Sequence, residues 1–305
     1  HMAVWVGTAR WLAENRKVWK GTVVMVAQPA EEISGGARAM VDDGLFTRFP
    51  RPDYALALHD DSRIPAGTVS VPAYRALSTA SFMDISVKGI GGHGAYPATT
   101  KDPVVLASRI VIALQTLVAR ENDPFRPAVV TVGSIHGGTK HNIIGESVHL
   151  QLTVRSFDAA VQTKLLDGIR RIARGEAMAA GLPESLYPQV TVDPNGTQPT
   201  INTTALATRI KALFQKTLGP DKVLEGNPSM ASEDYNQYGL ADPRIQTVMY
   251  SLGAVNPAAW AKAQQDGTKL PGPHNPRWAP DPEPTIATGV ATMTDAVMML
   301  LPKSR

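Results

Sequence analysis

Cysteine is absent from this 305-residue chain, which excludes disulfide bonds and any cysteine nucleophile or cysteine metal ligand within these residues. Charge is also sparse: 19% of the residues are charged and the net charge is +3. The basic residues are scattered, whereas a nucleic-acid partner requires a clustered basic surface. The composition therefore predicts a globular protein without a nucleic-acid partner.

Long apolar runs are missing too. The longest, PVVLASRIVIALQTLVA, is interrupted by Arg109, Gln115 and Thr116, and it falls short of the ~20 residues that a membrane span needs. We expect a buried amphipathic helix and no membrane partner. The compartment stays open, because cytoplasmic, periplasmic and secreted locations all agree with this composition.

Several motifs of enzyme chemistry are absent. The chain has no G-x-S-x-G, no Walker-type loop and no H-E-x-x-H, so serine acyl-enzyme and phosphate-loop chemistry have no support. The segment GIGGHGAYP has the glycine spacing of a dinucleotide fingerprint. A Pro-containing stretch follows it instead of a helix, and we therefore reject a nucleotide site.

The pattern of the present residues indicates two domains. In residues 1–78 and 196–305, apolar segments such as GTVVMVAQ and DYALALH predict buried strands that alternate with helices, which favours an α/β domain with a mostly parallel sheet. Residues 79–195 show alternating strands in β-α-β-β-α-β order. This order predicts an inserted α+β domain with a four-stranded antiparallel sheet and two helices.

Two helices of the inserted segment have clear start signals. Asp102 and Pro103 form an N-cap and first-turn pair for a helix that runs to Arg120. Asp158 can cap a second helix that runs to about Ala180.

Two adjacent carboxylates, Glu31 and Glu32, follow the first apolar segment in VMVAQPAEEISGG. Like charges at close range oppose each other's ionisation, and a metal ion would offset this repulsion. A solvated pair on a surface loop is the alternative. His59 ends the segment YALALH, at the edge where open α/β sheets bind ligands; a solvent-facing strand end is its alternative.

Other polar residues stand in turns. His93 follows glycines in GIGGHG, and Asn142 lies in HGGTKHNIIGE, where a simple hairpin turn is the alternative. Glu233 stands at a predicted helix start in MASEDYNQYG, where capping would explain it equally well. His274 lies in the Pro-rich loop LPGPHNPRW, and a loop histidine without a function is its alternative.

Taken together, these segments resemble the dinuclear metallopeptidases related to aminoacylase, in particular the amidohydrolases that include hippurate hydrolase and plant auxin-conjugate hydrolases. The matching runs include GTVVMVAQPAEEISGGARAMVDDGLF, VKGIGGHGAYPATTKDPV, GGTKHNIIGESVHLQLTVRSFD, MASEDYNQY and PHNPRW. The resemblance implies a phosphorylase/hydrolase-like three-layer sandwich that carries an inserted lid domain.

The resemblance also implies roles. Glu31 matches the general base, while Glu32, His59 and His274 match metal ligands. His93 matches a catalytic and substrate-binding histidine of the lid domain that helps to hold the tetrahedral oxyanion.

Further expectations follow from the same resemblance. Asn142 and Glu233 match substrate-binding positions. Two divalent ions, of Zn, Mn, Co or Ni, are expected in the complete protein, and a homodimer is expected to form through the lid domain. The implied reaction is hydrolysis of N-acyl amino acids, small peptides or similar amides.

The chain departs from the family pattern in several places. It lacks the Cys-Gly-His-Asp segment that supplies two further ligands, and His1 stands in the register of the histidine that follows that segment. The three remaining ligand positions would then hold one ion or none. Ala98 stands where a second histidine is common, Gly145 where proline is common, and Trp278 in a usual phenylalanine position. Two alternatives therefore stay open: a catalytically incomplete fragment or non-enzymatic homologue, and a dipeptidase or carboxypeptidase of the same family.

Overall fold

The computed structural model describes residues 1–303. Helices occupy the following ranges: α1 (Met2–Glu14), α2 (Gly36–Asp42), α3 (Leu45–Arg48), α4 (Pro103–Thr116), α5 (Ala159–Ala179), α6 (Thr204–Leu218), α7 (Gln237–Ala241), α8 (Pro257–Asp266) and α9 (Pro282–Leu300). Strands occupy these: β1 (Tyr54–Pro65), β2 (Val69–Val71), β3 (Arg75–Leu77), β4 (Ser81–Lys88), β5 (Gly92–His93), β6 (Ala128–Gly137), β7 (Ile143–Ile144), β8 (Ser147–Ser156), β9 (Gln189–Val192), β10 (Thr200–Ile201), β11 (Val223–Glu225) and β12 (Gln246–Val255).

The chain forms two compact units. Within the described residues, the first comprises residues 1–76, 200–228 and 234–303, and the second comprises residues 77–199 and 229–233. The assignment of these units as catalytic and lid domains is a prediction that rests on the resemblance.

The first unit is built on a four-stranded sheet in the order β1-β12-β2-β11. β1 pairs with β12 and β11 pairs with β2 in parallel, whereas β12 and β2 run antiparallel. The prediction of a mostly parallel α/β sheet is therefore confirmed. Helices α1, α6 and α9 supply the apolar core against this sheet, which includes Val4, Leu206, Ile210, Phe214, Val248, Leu252 and Ala296.

Buried polar contacts fix the connections of this sheet. The amide of Asn202 donates to the carbonyls of Pro72 (2.7 Å) and Met249 (2.9 Å) and accepts from the Met249 N–H (2.8 Å). Asn202 is 1% exposed, so each of its hydrogen bonds satisfies a group that would otherwise lie buried and unpaired.

The predicted strand GTVVMVAQ is wrong. Residues 22–30 have no regular secondary structure, and none of them is buried. A strand needs a neighbouring strand to satisfy its backbone groups. In the described sheet β12 is the one strand neighbour of the edge strand β1, so residues 22–30 do not pair with β1 and form no strand. One contact that fixes this segment comes from a side chain: the Trp5 indole donates to the Val26 carbonyl at 3.1 Å.

The second unit contains the four-stranded antiparallel sheet β6-β8-β4-β9, packed by helices α4 and α5. This confirms the predicted α+β fold. The capping predictions are also confirmed, because Asp102 accepts from the Val104 N–H (2.8 Å) and Asp158 from the Ala160 N–H (2.8 Å). The alternation of β4 is regular, with positions 83, 85 and 87 buried in the core.

The apolar segment around α4 is a helix of this core. Residues Pro103–Glu121 form the one described helical stretch whose length and composition match those of a membrane span, and 33% of its most apolar window is buried. Leu106, Ile110, Leu114 and Leu117 of this stretch are each at most 2% exposed and pack in the core of the second unit. That packing explains the apolar run without a membrane.

Candidate active site

The glutamate pair lies on a tight, strained turn. Residues Glu31–Ile33 form one turn of 3-10 helix, and a non-glycine residue with positive φ stands on each side: Ala30 (56°) and Ser34 (54°). Such left-handed conformations cost about 1–2 kcal/mol for each residue with a side chain. A turn that retains both must be held by contacts outside itself. Glu31 is half-buried and Glu32 is exposed.

His274 meets this turn from the other end of the chain. Its Nε2 atom lies 3.7 Å from Oε2 of Glu32, and the two side chains are about three-quarters exposed. His274 also has a positive φ of 65°. Two ligands that bind one ion at ~2.1 Å in tetrahedral geometry lie about 3.4 Å apart, so this pair has the spacing of two metal ligands.

His59 stands in β1, where it lies in register with Ser251 of β12. Its Nδ1 atom is 2.6 Å from the carbonyl oxygen of Asp60. A carbonyl can only accept, so Nδ1 carries a proton, and in the neutral imidazole the lone pair is then on Nε2. This tautomer is the one in which Nε2 can ligate a metal ion.

Asp60 connects three segments of the first unit. Its carboxylate accepts a hydrogen bond from the Trp278 indole at 3.1 Å, and its other oxygen lies 3.1 Å from Nε2 of His1. Partial burial by itself raises the pKa of Asp60, but the contacts with His1, His59 and Trp278 outweigh burial and hold the pKa below its usual value. Asp60 is therefore an ionised acceptor beside the two histidines.

The predicted metal ligands lie in two groups. His1, His59 and Asp60 each offer a ligand atom within 4.8 Å of the others, whereas within residues 1–303 the three positions Glu32, His59 and His274 do not form one such group. Carboxylate and imidazole donors are nevertheless the set that Zn and similar divalent ions prefer. With the Glu32–His274 spacing and the His59 tautomer, the donor chemistry fits a divalent cation.

The two predicted substrate positions of the second unit lie together. His93 in β5 pairs with Ile143 in β7, and the Gly94 N–H donates to the Asn142 carbonyl at 2.9 Å. The His93 Nδ1 atom accepts from the Ala95 N–H at 3.1 Å, which places the imidazole proton on Nε2. His93 is exposed, so it presents a neutral N–H donor to solvent.

Glu233 and Asp234 are neighbours in sequence at the point where the chain passes from the second unit to the first. Glu233 is 8% exposed and ends the second unit, while Asp234 is 1% exposed and opens a 3-10 turn of the first. Asp234 accepts from the Gln28 amide at 2.5 Å and from the Ala37 N–H at 2.9 Å. The motif SED indicated helix capping from sequence, and its bonds to the glutamate loop were missed because they join residues about 200 positions apart.

Comparison with known proteins identifies the family. Residues 1–298 match the family described as Peptidase family M20/M25/M40. The chain belongs to this peptidase family. The predicted resemblance is therefore confirmed, since the aminoacylase-related metallopeptidases lie in it.

Two curated relatives are similar in sequence. The chain is 35% identical over 253 residues to an N-acetyldiaminopimelate deacetylase of Leuconostoc citreum, an alignment that covers 83% of this M20 chain and 63% of the relative. It is 34% identical over 246 residues to an IAA-amino acid hydrolase of Arabidopsis thaliana, an alignment that covers 80% of this chain and 54% of the relative. The chain thus spans about 63% and 54% of the length of these proteins.

Solved structures share the fold. A dinuclear metal-binding peptidase of the M20 family from Bacillus subtilis superimposes with a TM-score of 0.75 at 22% identity, over 99% of this chain and 71% of that one. An aminobenzoyl-glutamate utilization protein from Klebsiella pneumoniae superimposes with a TM-score of 0.68 at 19% identity, over 98% of this chain and 67% of that one. At this identity the likeness establishes the fold.

Proposed function

We propose that this protein hydrolyses the amide bond of N-acyl amino acids or similar small amides. The observation that carries the proposal is the Glu31–Glu32 turn, on which Glu32 lies 3.7 Å from His274, in a chain of the M20 family. The relatives named as a deacetylase and an IAA-amino acid hydrolase support an N-acyl amino acid as the substrate class.

The proposed cofactor is a pair of divalent metal ions in the whole protein, of Zn, Mn, Co or Ni. Glu32, His59 and His274 are the residues of this chain that would hold metal, because a carboxylate and two imidazoles match the ligand preference of these ions. Bound divalent ions supply Lewis acidity toward water and the amide carbonyl.

Glu31 is proposed as the general acid and base. Its half-buried carboxylate takes a proton from the attacking water and returns that proton to the leaving nitrogen, which makes the amine a better leaving group. His93 is proposed as the donor to the substrate oxygen, because its proton lies on Nε2 and a neutral N–H can stabilise an oxyanion. Asn142 and Glu233 are proposed as further substrate contacts.

Glu31→Gln tests the proposal. We expect it to lower kcat about 100- to 10,000-fold, the usual range for removal of a general base, while metal content measured by mass spectrometry stays unchanged. The assay is release of free amino acid from N-acetyl and N-benzoyl amino acids with added Zn, Mn or Co. Glu184→Gln is a matched control, because Glu184 also opens a 3-10 turn, Glu184–Leu186, and it is exposed and paired with Arg174.

Two alternatives have defined outcomes in the same assay. Turnover of dipeptides in preference to N-acyl amino acids would identify a dipeptidase or carboxypeptidase. The separation of His59 from the Glu32–His274 pair favours a second candidate, a homologue with an incomplete metal site. Absence of stoichiometric metal together with absence of turnover would establish that candidate and refute hydrolysis by this chain.

A homodimer formed through the second unit is also proposed. The exposed residues of that unit include several large apolar side chains, namely Ile112 (71% exposed), Phe125 (90%) and Ile135 (51%), and β6 is an edge strand with unpaired backbone groups. Exposed apolar surface and an open edge favour association. Sedimentation equilibrium of the purified chain measures it, and a monomer at all concentrations would contradict the proposal.

A further inference from the structure

The loop of the glutamate pair begins and ends at one buried carboxylate. Residues 28 to 37 run from the irregular segment 22–30 through the turn Glu31–Ile33 into α2. The two ends of this loop are in close contact, since a Cβ atom added at Gly36 would lie 1.6 Å from the Pro29 carbonyl oxygen. Asp234 lies beneath these ends, 1% exposed.

Asp234 uses one oxygen for each end of the loop. Oδ1 accepts from Nε2 of Gln28 at 2.5 Å, and Oδ2 accepts from the backbone N–H of Ala37 at 2.9 Å. Gln28 is held a second time, because its Oε1 atom accepts from the Tyr238 hydroxyl at 2.8 Å. Burial, and secondarily the charge of Asp234, raises the pKa of Tyr238 and keeps this hydroxyl protonated as a donor.

We propose that Asp234 is a positioning residue that clamps both ends of the Glu31–Glu32 loop and so fixes the proposed base and metal ligand. The loop needs such a clamp, because the left-handed residues Ala30 and Ser34 would relax if its ends were free. A buried carboxylate that accepts from both ends of the loop holds them through charge-assisted hydrogen bonds, which are stronger than neutral ones. This inference rests on the proposed function for its catalytic consequence and on the geometry alone for its structural one.

Asp234→Asn is the primary perturbation. An amide offers one oxygen, so either Gln28 or Ala37 then faces an N–H group instead of an acceptor. We expect amide hydrogen exchange of residues 28–37 to become at least about tenfold faster, while exchange in β12 stays unchanged. Where hydrolysis is measurable, kcat should fall at least about tenfold with KM changed less than about threefold. Gln28→Ala releases only one end of the glutamate loop, and it replaces Asp234→Asn in the exchange measurement if that variant does not fold.

The reciprocal variant Gln28→Glu/Asp234→Asn separates clamping from folding. The amide nitrogen at position 234 can donate to the new carboxylate at position 28, its oxygen can still accept from Ala37, and Tyr238 keeps an acceptor. The hydrogen bond between positions 28 and 234 is restored with its direction reversed, the bonds with Ala37 and Tyr238 keep theirs, and the net charge equals that of the parent.

The reciprocal variant should return loop exchange to within about threefold of the parent and restore kcat. Gln28→Glu alone should not, because it places two carboxylates against each other. Parent-like exchange in Asp234→Asn, or failure of the reciprocal pair to restore slow exchange, would overturn the clamp. A chain that hydrolyses no amide but shows this exchange pattern would refute the proposed function and retain the clamp.

Discussion

Replacement of Trp278 by Phe should release the loop that carries His274. The Trp278 indole donates to Asp60 at 3.1 Å, and Asp60 directly follows His59 in β1. This hydrogen bond therefore ties the His274 loop to the part of β1 that carries His59. Trp278→Phe keeps an aromatic ring and removes the donor.

The free energy lost in Trp278→Phe depends on the acceptor, which is the Asp60 carboxylate. Hydrogen bonds to charged groups contribute about 1.5–3 kcal/mol, and the Asp60 side chain is 17% exposed, which puts the value near the lower end. A loss of about 1.5 kcal/mol corresponds to about a tenfold increase in loop opening. At its end the loop is joined to β12, where the Asp281 N–H donates to the Ala254 carbonyl at 2.7 Å. Its other described backbone bonds are local, such as Trp278 N–H to the Asn275 carbonyl at 2.9 Å and Asn275 N–H to the Gly272 carbonyl at 3.1 Å. They do not connect the loop to β1.

Hydrogen exchange of residues 270–281, read by mass spectrometry, measures this effect without reference to activity. Trp260→Phe is the matched control: the Trp260 indole also donates to a β1 residue, the Arg63 carbonyl at 2.9 Å, and the same atoms are removed. We expect Trp278→Phe to speed exchange in the loop about tenfold and to weaken Zn binding, with no such change in Trp260→Phe. Equal exchange in the two variants would refute the reasoning.

Further predictions concern the second unit and are measured by urea unfolding. Gly175→Ala in α5 should stabilise it by about 0.5–1 kcal/mol, because no atom lies within 4 Å of the new Cβ. Gly168→Ala in the same helix should destabilise it, because that Cβ would lie 2.4 Å from Leu117. Asp158→Ala should cost about 1 kcal/mol at neutral pH through loss of the N-cap. The Arg126 hydrogen bond lowers the pKa of Asp158 below its ordinary value of 3.8. The ionised carboxylate therefore stabilises the fold fully at pH values above 3.8, and this stabilisation is lost as pH falls through the folded-state pKa. The gap between the parent and Asp158→Ala should therefore narrow in acid.

Each of these predictions has a contradicting outcome. Equal stability changes in the two glycine variants would mean that the packing around α5 does not distinguish positions 168 and 175. A stability gap for Asp158→Ala that is constant from neutral to acid pH would show that the ionised carboxylate contributes nothing.

Sequence was sufficient where the signal is local. Asp102 and Asp158 each accept a hydrogen bond from an N–H group two residues further along the chain. The alternation of buried and more exposed positions in β4 follows from its own side chains. Such features depend on a few neighbouring residues, so a pattern predicts them. The four-stranded antiparallel sheet of the second unit was predictable from the alternation of its strands and their β-α-β-β-α-β order, although its pairs join distant residues.

Sequence failed where the structure depends on distant partners. The apolar segment GTVVMVAQ has the composition of a strand, but pairing decides whether a strand forms, and pairing is not local. The site shows the same division. The resemblance identified Glu31, Glu32, His59 and His274 as candidates, whereas the contacts that hold their loops join residues about 200 positions apart.

The unusual residue at position 278 shows how such a contact can be recognised. The family resemblance predicts phenylalanine there, and a phenylalanine would leave Oδ2 of the ionised, half-buried Asp60 without the indole donor that now meets it at 3.1 Å. Removal of one partner from such a pair costs more than the pair contributes, because the remaining charge stays desolvated. Tryptophan at position 278 and aspartate at position 60 therefore support each other, and substitutions at the two positions should be strongly non-additive.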